Sequence, residues 1–228
     1  MDRNKFRHEI KHYISLSDYY SIKQRLDTFM KRDKFAGEKG EYTIRSLYFD
    51  NIYDKALREK LDGINDREKF RLRCYNNDFS YIKLEKKLKK NGLCNKISTK
   101  ITKEECEKII NRDFSWMKNS SDELIGEFYE KIKYQQLRAK TLIDYKRNPY
   151  TYPLGNVRVT LDWDIKTGIY SNGFLDENTP MVSFNINKAI ILEVKYDEYI
   201  PSIIKDLVQV NGRSATAFSK YSACRVFG

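Results

Sequence analysis

The sequence predicts an α+β domain built on an eight-stranded antiparallel β-barrel, a tunnel with a charged lumen and flanking helices. Three observations predict it: segments that alternate charged and apolar residues recur along the chain, Asn and Gly turns join some of them, and amphipathic helical segments lie between them. The 228 residues, 40% of them apolar, suffice for one large domain, and no composition shift divides the chain. We therefore interpret residues 1–228 as a single domain.

The stretch 67–99 predicts three strands of a meander: REKFRLRCY, YIKLEKKL and LCNKIST. Side chains alternate between the two faces of a strand, so Lys69, Arg71 and Arg73 share one face and apolar residues the other. An Asn-Gly pair between the second and third strands suits a tight hairpin turn that requires positive φ. One face of this meander is therefore crowded with charge.

Further segments alternate in the same way and bring the predicted strands to eight: residues 4–14, 42–50, 142–147, 156–163 and 189–196. Several carry basic residues beside an occasional carboxylate, as Glu9 and Lys11 do. The parity of 42–50 is open, although Leu47 and Phe49 suit its apolar face. Pro149 is expected to break the strand that precedes it.

Amphipathic segments between the strands predict helices at residues 17–32, 54–61, 102–110, 121–134 and 203–210. In the first helix we expect Ser17 to act as the N-cap, and Tyr20, Phe29 and Met30 to belong to the buried face. The long Gly- and Asn-containing connection 166–187 is interpreted as either a flexible loop or a lid.

Charge and composition limit the partners. A formal charge of +11 and a pI near 9.3 favour polyanions: nucleic acid, an anionic membrane surface or phosphate-rich small molecules. No run approaches the roughly 18 apolar residues of a membrane span, and the N-terminus has no apolar signal region, so a cytoplasmic protein is expected. The four cysteines lack C-x-x-C spacing, which favours buried, reduced thiols.

The segment from His8 to His12 matches H-E-x-x-H, a zinc protease motif when it lies on a helix. The same residues fit a strand equally well, and the motif begins too near the N-terminus for a preceding sheet. The chain contains no third histidine to complete a zinc site. A zinc protease is therefore disfavoured.

Eight such strands can form a small barrel with the apolar faces packed on helices and the charged faces inward. Roughly ten cations in a narrow lumen repel by kcal/mol amounts even at an effective dielectric near 20, so the lumen must be wet and take up a polyanion. Carboxylates among the cations can bind a divalent ion through oxygen. These features predict a site that binds a triphosphate together with a metal.

Eight motifs follow one another along the chain: RHEIKHYI, SLYFDN, FRLRCY, IKLEKK, Tyr145-x-Arg147, RVTLD, ILEVK and Ser219-Lys220-Tyr221. Together, over about residues 4–222, they resemble the VTC domain, the polyphosphate polymerase branch of the triphosphate tunnel metalloenzymes. The resemblance implies a tunnel in which basic residues bind the triphosphate of ATP and the growing polyphosphate chain. It also implies that glutamates hold Mn²⁺ or Mg²⁺.

Matched to this sequence, the resemblance implies phosphate ligands, of which we expect four to be catalytic: Lys11, Arg71, Arg73 and Arg158. The other expected phosphate-binding residues are Lys69, Lys83, Lys87, Lys96, Arg147, Lys195 and Lys220. For Lys69 and Lys83 the sequence does not separate a position in the lumen from one at its rim. Glu193 becomes the principal metal ligand, supported by Glu9 and Glu85.

The expected function is transfer of the ATP γ-phosphoryl group to a phosphate or polyphosphate acceptor. Arg7 stands where the hydrolytic branch of the superfamily has the first glutamate of Glu-x-Glu-x-Lys, which removes one metal carboxylate and favours transfer over water activation. The alternatives are a metal-dependent triphosphatase with Glu9 or Glu85 as base, and a non-catalytic module that binds polyphosphate or RNA. RNA needs aromatic residues on the charged faces, where the meander offers only Tyr75 and Tyr81, so no nucleic-acid partner is expected.

Overall fold

The computed structural model describes residues 5–168, 171–184, 190–210, 212 and 214–227. Within them the strands form one antiparallel sheet. The strands are β1 (His8–Ile14), β2 (Lys31–Arg32), β3 (Tyr42–Asp50), β4 (Arg67–Tyr75), β5 (Ile82–Lys90), β6 (Leu93–Ile101), β7 (Arg138–Tyr152), β8 (Val157–Gly168), β9 (Met181–Ser183) and β10 (Ile190–Tyr196).

Six α-helices flank this sheet within the described residues. They are α1 (Leu16–Phe29), α2 (Lys55–Leu61), α3 (Lys103–Ile110), α4 (Glu123–Gln135), α5 (Ser202–Leu207) and α6 (Lys220–Phe227). No described helix combines the length and the apolar character needed to cross a membrane.

The main path of the sheet has eight strands in the order β1-β10-β8-β7-β3-β4-β5-β6, while β2 extends along β7 and β9 along β8. Its two edges meet beside β1 and β6, where Arg7 and Cys94 exchange backbone hydrogen bonds of 2.9 and 2.8 Å. The sheet therefore curls around an interior. The predicted α+β class with eight antiparallel strands and flanking helices is confirmed.

The apolar faces of most strands point outward, as expected, and pack on helices. Phe49 and Phe70 contact Phe128 of α4, with ring centroids 4.9 and 5.1 Å apart, in a cluster that also includes α3. A second outer cluster joins β1, β8 and β10 to α1 and α5 through residues such as Ile22 and Leu192. Each fully buried side chain of this size contributes about 1.5–3 kcal/mol.

A third apolar cluster lies inside the curled sheet, where the sequence had indicated only charge. Ile143 and Ile191, on the inner face, pack with Phe218, just before α6, and with Tyr221 in the first turn of α6. The Tyr221 hydroxyl donates to Asp50 at 2.6 Å and anchors α6 to the end of β3. One part of the interior is thus filled by the C-terminal helix, and the charged cavity occupies the remainder.

The first helix differs from its expected position by two residues at the N-cap. Ser15, not Ser17, accepts a hydrogen bond from the backbone of Asp18, whose side chain completes a capping box. With this start, Tyr19 and Met30 are buried, whereas Tyr20 and Phe29 are 63% and 57% exposed. The assignment of Tyr20 and Phe29 to the buried face was therefore wrong.

Pro149 does not break its strand, because β7 continues through it to Tyr152. Pairing with β3 ends at Arg147, and pairing with β2 begins at Tyr150. The proline thus lies in the gap between β3 and β2 along the same edge of β7. No described strand pairs with this edge of β7 at that position, so the missing N–H costs no hydrogen bond of the sheet. The Pro149 carbonyl still accepts from the backbone of Asp33 at 3.1 Å.

Local turn and parity expectations agree with the structure. Asn91 and Gly92 have φ of 50° and 79° and form the tight turn between β5 and β6. Leu47 and Phe49 belong to the outer core, which settles the parity of β3.

The described part of the 166–187 connection is packed and does not form a lid. Strand β9 pairs with the end of β8, and Phe174 is buried in the outer core. Arg45 donates to the carbonyl oxygens of Phe174 and Asp176 at 3.4 and 2.5 Å, which fastens this segment to β3. Residues 169–170 and 185–189 lie outside the described residues.

We expect Phe128→Ala to lower the free energy of unfolding by about 3–5 kcal/mol, because it removes the ring that joins α4 to β3 and β4. Urea denaturation followed by circular dichroism measures this change. Tyr134→Ala on the same helix, where Tyr134 is 76% exposed, is the matched control and should change stability little. Equal effects of the two substitutions would contradict the assigned core.

Candidate active site

A cavity of about 430 Å³ lies within the curled sheet. Ten of the eleven cations expected from the sequence line it: Lys11, Lys69, Arg71, Arg73, Lys87, Lys96, Arg147, Arg158, Lys195 and Lys220. Lys83 does not, since its ammonium lies 5.0 Å from the ring centroid of Tyr81. Of the expected metal ligands, Glu9 and Glu193 line the cavity. The fold thus brings together residues more than 200 positions apart.

Two carboxylates and two lysines form a charged group where β1 pairs with β10. The register sets Lys11 opposite Glu193 and Glu9 opposite Lys195. Lys11 Nζ lies 2.8 Å from Glu9 and 3.3 Å from Glu193, and Lys195 Nζ lies 3.3 and 2.8 Å from the same carboxylates. Lys87 of β5 adds a 2.7 Å contact to Glu9 from across the cavity.

These contacts keep both glutamates ionised in a buried position. Burial opposes ionisation of Glu9, but Lys11 and Lys87 outweigh it and hold the pKa of this carboxyl well below its ordinary value. Burial likewise opposes ionisation of Glu193, and Lys195 and Lys11 hold its pKa well below the ordinary value.

A third acid, Glu85, is completely buried beneath the cavity wall. It accepts from Arg71 Nε at 2.8 Å and Lys96 Nζ at 3.1 Å, and Arg73 lies 3.6 Å away. Burial opposes its ionisation, yet Arg71 and Arg73 hold its pKa well below the ordinary value. Glu85 therefore fixes the guanidinium groups that reach into the cavity.

Asp162, which was not among the expected site residues, is a further buried acid beside the cavity cations. It accepts from Arg147 Nε at 2.6 Å and Nη2 at 2.7 Å, and Lys220 of α6 contacts it as well. Burial opposes ionisation of Asp162, and Arg147 and Lys220 lower its pKa. Its parity with Arg158 in β8 was the signal in the sequence that could have identified it.

Tyrosine hydroxyls orient the arginines, and sequence reasoning missed them. Tyr48 accepts from Arg71 at 2.8 Å, Tyr145 accepts from Arg73 at 3.0 Å, and Tyr42 accepts from Arg158 at 2.8 Å. The open parity of β3 concealed Tyr42 and Tyr48, whereas the Tyr-x-Arg motif of β7 pointed toward Tyr145.

Additional basic residues line the cavity: Lys5, Arg7, Lys60, Arg67 and Lys89. Arg67 and Lys89 share strand parity with Lys69 and Lys87, so alternation could have identified them. Lys60 lies on α2, where the sequence offered no such signal.

The expected set of three glutamate metal ligands is not assembled. Among the described residues no group of three or more acids, histidines or cysteines could hold a metal ion. Glu85 is bound to Arg71 and Lys96, whereas Glu9 and Glu193 both contact Lys11. Because Mg²⁺ is commonly bound by one or two carboxylates together with substrate phosphates, Glu9 and Glu193 fit a divalent ion that binds with a phosphate ligand.

A curled antiparallel sheet around a cavity rich in arginine and lysine defines a tunnel-like protein with a strongly basic interior. The chain matches the sequence model of the VTC domain over residues 6–227, so it belongs to the VTC domain family, as its motifs predicted. Membership indicates phosphoryl-transfer chemistry on phosphate-based substrates and implies a divalent metal.

Solved structures with similarity to this chain are distant. A candidate adenylate cyclase from Bacillus halodurans has 12% identity and a TM-score of 0.49, with 84% of this chain and 80% of that chain covered. The PH1012 protein from Pyrococcus horikoshii has 13% identity and a TM-score of 0.48, with 94% and 96% covered. At this distance neither similarity carries information about function. No curated protein sequence matches significantly.

We expect Glu85→Gln to lower the free energy of unfolding by about 3–5 kcal/mol at pH 7, because buried cations lose their counter-charge. The pKa of Glu85 is lower in the folded protein than in the unfolded chain, where it is about 4.3, so ionised Glu85 stabilises the fold above that pH. This stabilisation is lost as the pH falls toward the pKa of Glu85 in the folded protein. In urea denaturation between pH 7 and pH 3, the free energy of unfolding should therefore fall less steeply with decreasing pH in the variant than in the wild type. Glu107→Gln, at an exposed position on α3, is the control, and an equally steep loss in Glu85→Gln would contradict the assignment.

Proposed function

We propose that this protein transfers the γ-phosphoryl group of ATP to a phosphate or polyphosphate acceptor inside the cavity, with Mn²⁺ or Mg²⁺ as cofactor. The observation that carries the proposal is the imbalance of charge in the lining. Ten expected phosphate ligands face one enclosed space, while Glu9 and Glu193 are the acids among the described lining residues. Such a lining suits several linked phosphates better than a single anion.

The geometry supports catalysis by orientation and electrostatic stabilisation. Arg71 and Arg73 are held by Glu85 and by tyrosine hydroxyls, so their donors are fixed before a substrate enters. In the proposed reaction they stabilise the charge on the transferred phosphoryl oxygens, together with Lys11 and Arg158. A divalent ion held by Glu193 and Glu9 would neutralise further phosphate charge.

The further phosphate ligands would bind the remaining phosphates of the nucleotide and of the chain. Lys220 and Arg147 are held by Asp162, and Lys195 by Glu193 and Glu9. Their positions on different walls of the cavity suit an extended ligand that passes between them. Lys83 stays outside this proposed set because it lies away from the cavity.

Two alternatives have less support. A triphosphatase that uses Glu9 or Glu85 as base needs a carboxylate able to take a proton, but adjacent cations hold both pKa values well below the ordinary range. An RNA-binding module needs free aromatic faces, and the hydroxyls of Tyr42, Tyr48 and Tyr145 are committed to arginines in a buried setting.

The products distinguish the three functions. With ATP and Mn²⁺, the proposal expects polyphosphate chains on a polyacrylamide gel together with ADP in solution. Release of phosphate from tripolyphosphate without chain growth would support the triphosphatase instead. Binding without turnover of either substrate would support the module.

We expect Arg71→Ala and Arg73→Ala each to lower kcat by about 10²–10³, the usual effect of losing a donor to the transition state. Both variants should remain folded by circular dichroism, because each leaves Lys96 in contact with Glu85. Arg138→Ala, at an exposed position of β7, is the matched control and should retain activity. Full activity in both cavity variants would remove the basis of the site assignment.

A further inference from the structure

Like charges face each other across β4 and β5 on the cavity side. Arg67 is directly opposite Lys89, and Lys69 is directly opposite Lys87. Opposed like charges destabilise an antiparallel pair. Lys60 of α2 lines the same cavity and adds a further cation near Arg67 and Lys89.

Four of these cations have no ion-pair partner among the described residues. Within the described ranges Lys60, Arg67, Lys69 and Lys89 make no ion pair, whereas Lys87 contacts Glu9. We call these four residues the unpaired cluster. Arg67 donates to the carbonyl of Ile64. The cluster thus differs from the other lining cations, which pair with Glu9, Glu85, Glu193 or Asp162 or, for Arg158, Lys5 and Arg7, with Asp33 and Asp197.

The lack of a paired acid has its main effect on the pKa of Lys69. Burial and the cations Lys87, Arg67 and Lys60 lower its pKa from 10.5 to about 7, and Asp50 opposes this only weakly. The other groups that meet its ammonium carry no charge: the Ser219 hydroxyl at 3.4 Å and the ring of Tyr221 at 4.9 Å. Lys69 therefore loses its proton far more readily than an ordinary lysine.

We propose that the unpaired cluster is a second anion subsite, which binds phosphate groups of an inorganic phosphate chain separately from the cations balanced by buried acids. An anion there relieves the repulsion between Arg67 and Lys89 and supplies a counter-charge that the described residues do not. The inference rests on the proposed function only for the class of anion. The ligand is either a free acceptor or the distal end of a chain bound deeper in the cavity.

Binding at this subsite is coupled to proton uptake. A bound phosphate favours the charged form of Lys69, so its pKa is higher in the complex than in the free protein. Well below the pKa of free Lys69, the side chain is charged in both states, and the affinity does not depend on its titration. As the pH rises above 7, the free protein loses this proton first, and the affinity falls until Lys69 also titrates in the complex.

Isothermal titration with sodium tripolyphosphate at pH 8, without nucleotide or divalent ion, tests the subsite. Runs in two buffers of different ionisation enthalpy should show up to one more proton taken up per bound anion by the wild type than by Lys69→Arg, because protons released by tripolyphosphate itself contribute equally to both. Lys69→Arg should bind without the part of the uptake that belongs to Lys69, since its side chain stays charged. Lys60→Gln and Lys89→Gln should each weaken binding by about tenfold, as expected for loss of a charged hydrogen bond. Arg58→Gln, exposed on α2, is the matched control and should bind like the wild type.

Unchanged proton uptake in Lys69→Arg, or wild-type affinity in both glutamine variants, would overturn the proposal. Repeating the titration with orthophosphate and with long-chain polyphosphate separates the two sources of the ligand. Proton uptake that orthophosphate causes in the wild type and not in Lys69→Arg identifies a free acceptor, whereas the same difference with chains alone identifies the distal end of a chain. Proton-linked binding in a protein that forms no product from ATP would leave the subsite intact and remove the proposed polymerase activity.

Discussion

Neutralisation of charge inside the curled sheet is the constraint on which the rest of the structure depends. Removing charged groups from water costs several kcal/mol each unless partners compensate them. Glu9, Glu85, Asp162 and Glu193 provide this compensation, each by contacts with at least two basic side chains. These acids act across strand boundaries and therefore hold the inner faces of different strands in register. They also fix the directions in which the arginines and lysines point.

The strands and their charged faces could be predicted because alternation is a local property of the sequence. The ion pairs could not, because they depend on which strands become neighbours. Asp162 and Lys220 are 58 residues apart and meet only when α6 enters the sheet. The same nonlocality explains why Glu85 does not join Glu9 and Glu193: on β5 it is paired with Arg71 of β4 and Lys96 of β6, the two strands that become its neighbours. The expectation that Pro149 breaks its strand was wrong for a related reason. Strand β7 accepts a proline there only because β3 and β2, its two partner strands on that edge, leave a gap at that position.

The C-terminal helix gives the interior two distinct parts. Ile143, Ile191 and Tyr221 form an apolar part, which allows Tyr48 and Tyr145 to pack while their hydroxyls still reach arginines. Alternation places these residues on the inner face but does not indicate what covers them. Without α6 this apolar surface would be exposed to the wet cavity, so the helix stabilises the fold and also limits the space open to a ligand.

Under the proposed function, cations that are ion-paired with buried acids and cations of the unpaired cluster contribute differently to binding. Arg71 and Arg147 are held by acids, so they offer donors of fixed geometry but little net charge, which suits orientation of a reacting group. Lys60 and Lys89 have no such acid within the part of the chain that the structure describes and offer net charge with less positional constraint, which suits attraction of a polyanion. Attraction of this kind weakens as salt shortens the Debye length, whereas buried pairs are screened much less. Ionic strength should therefore affect capture of the anion more than the chemical step that follows.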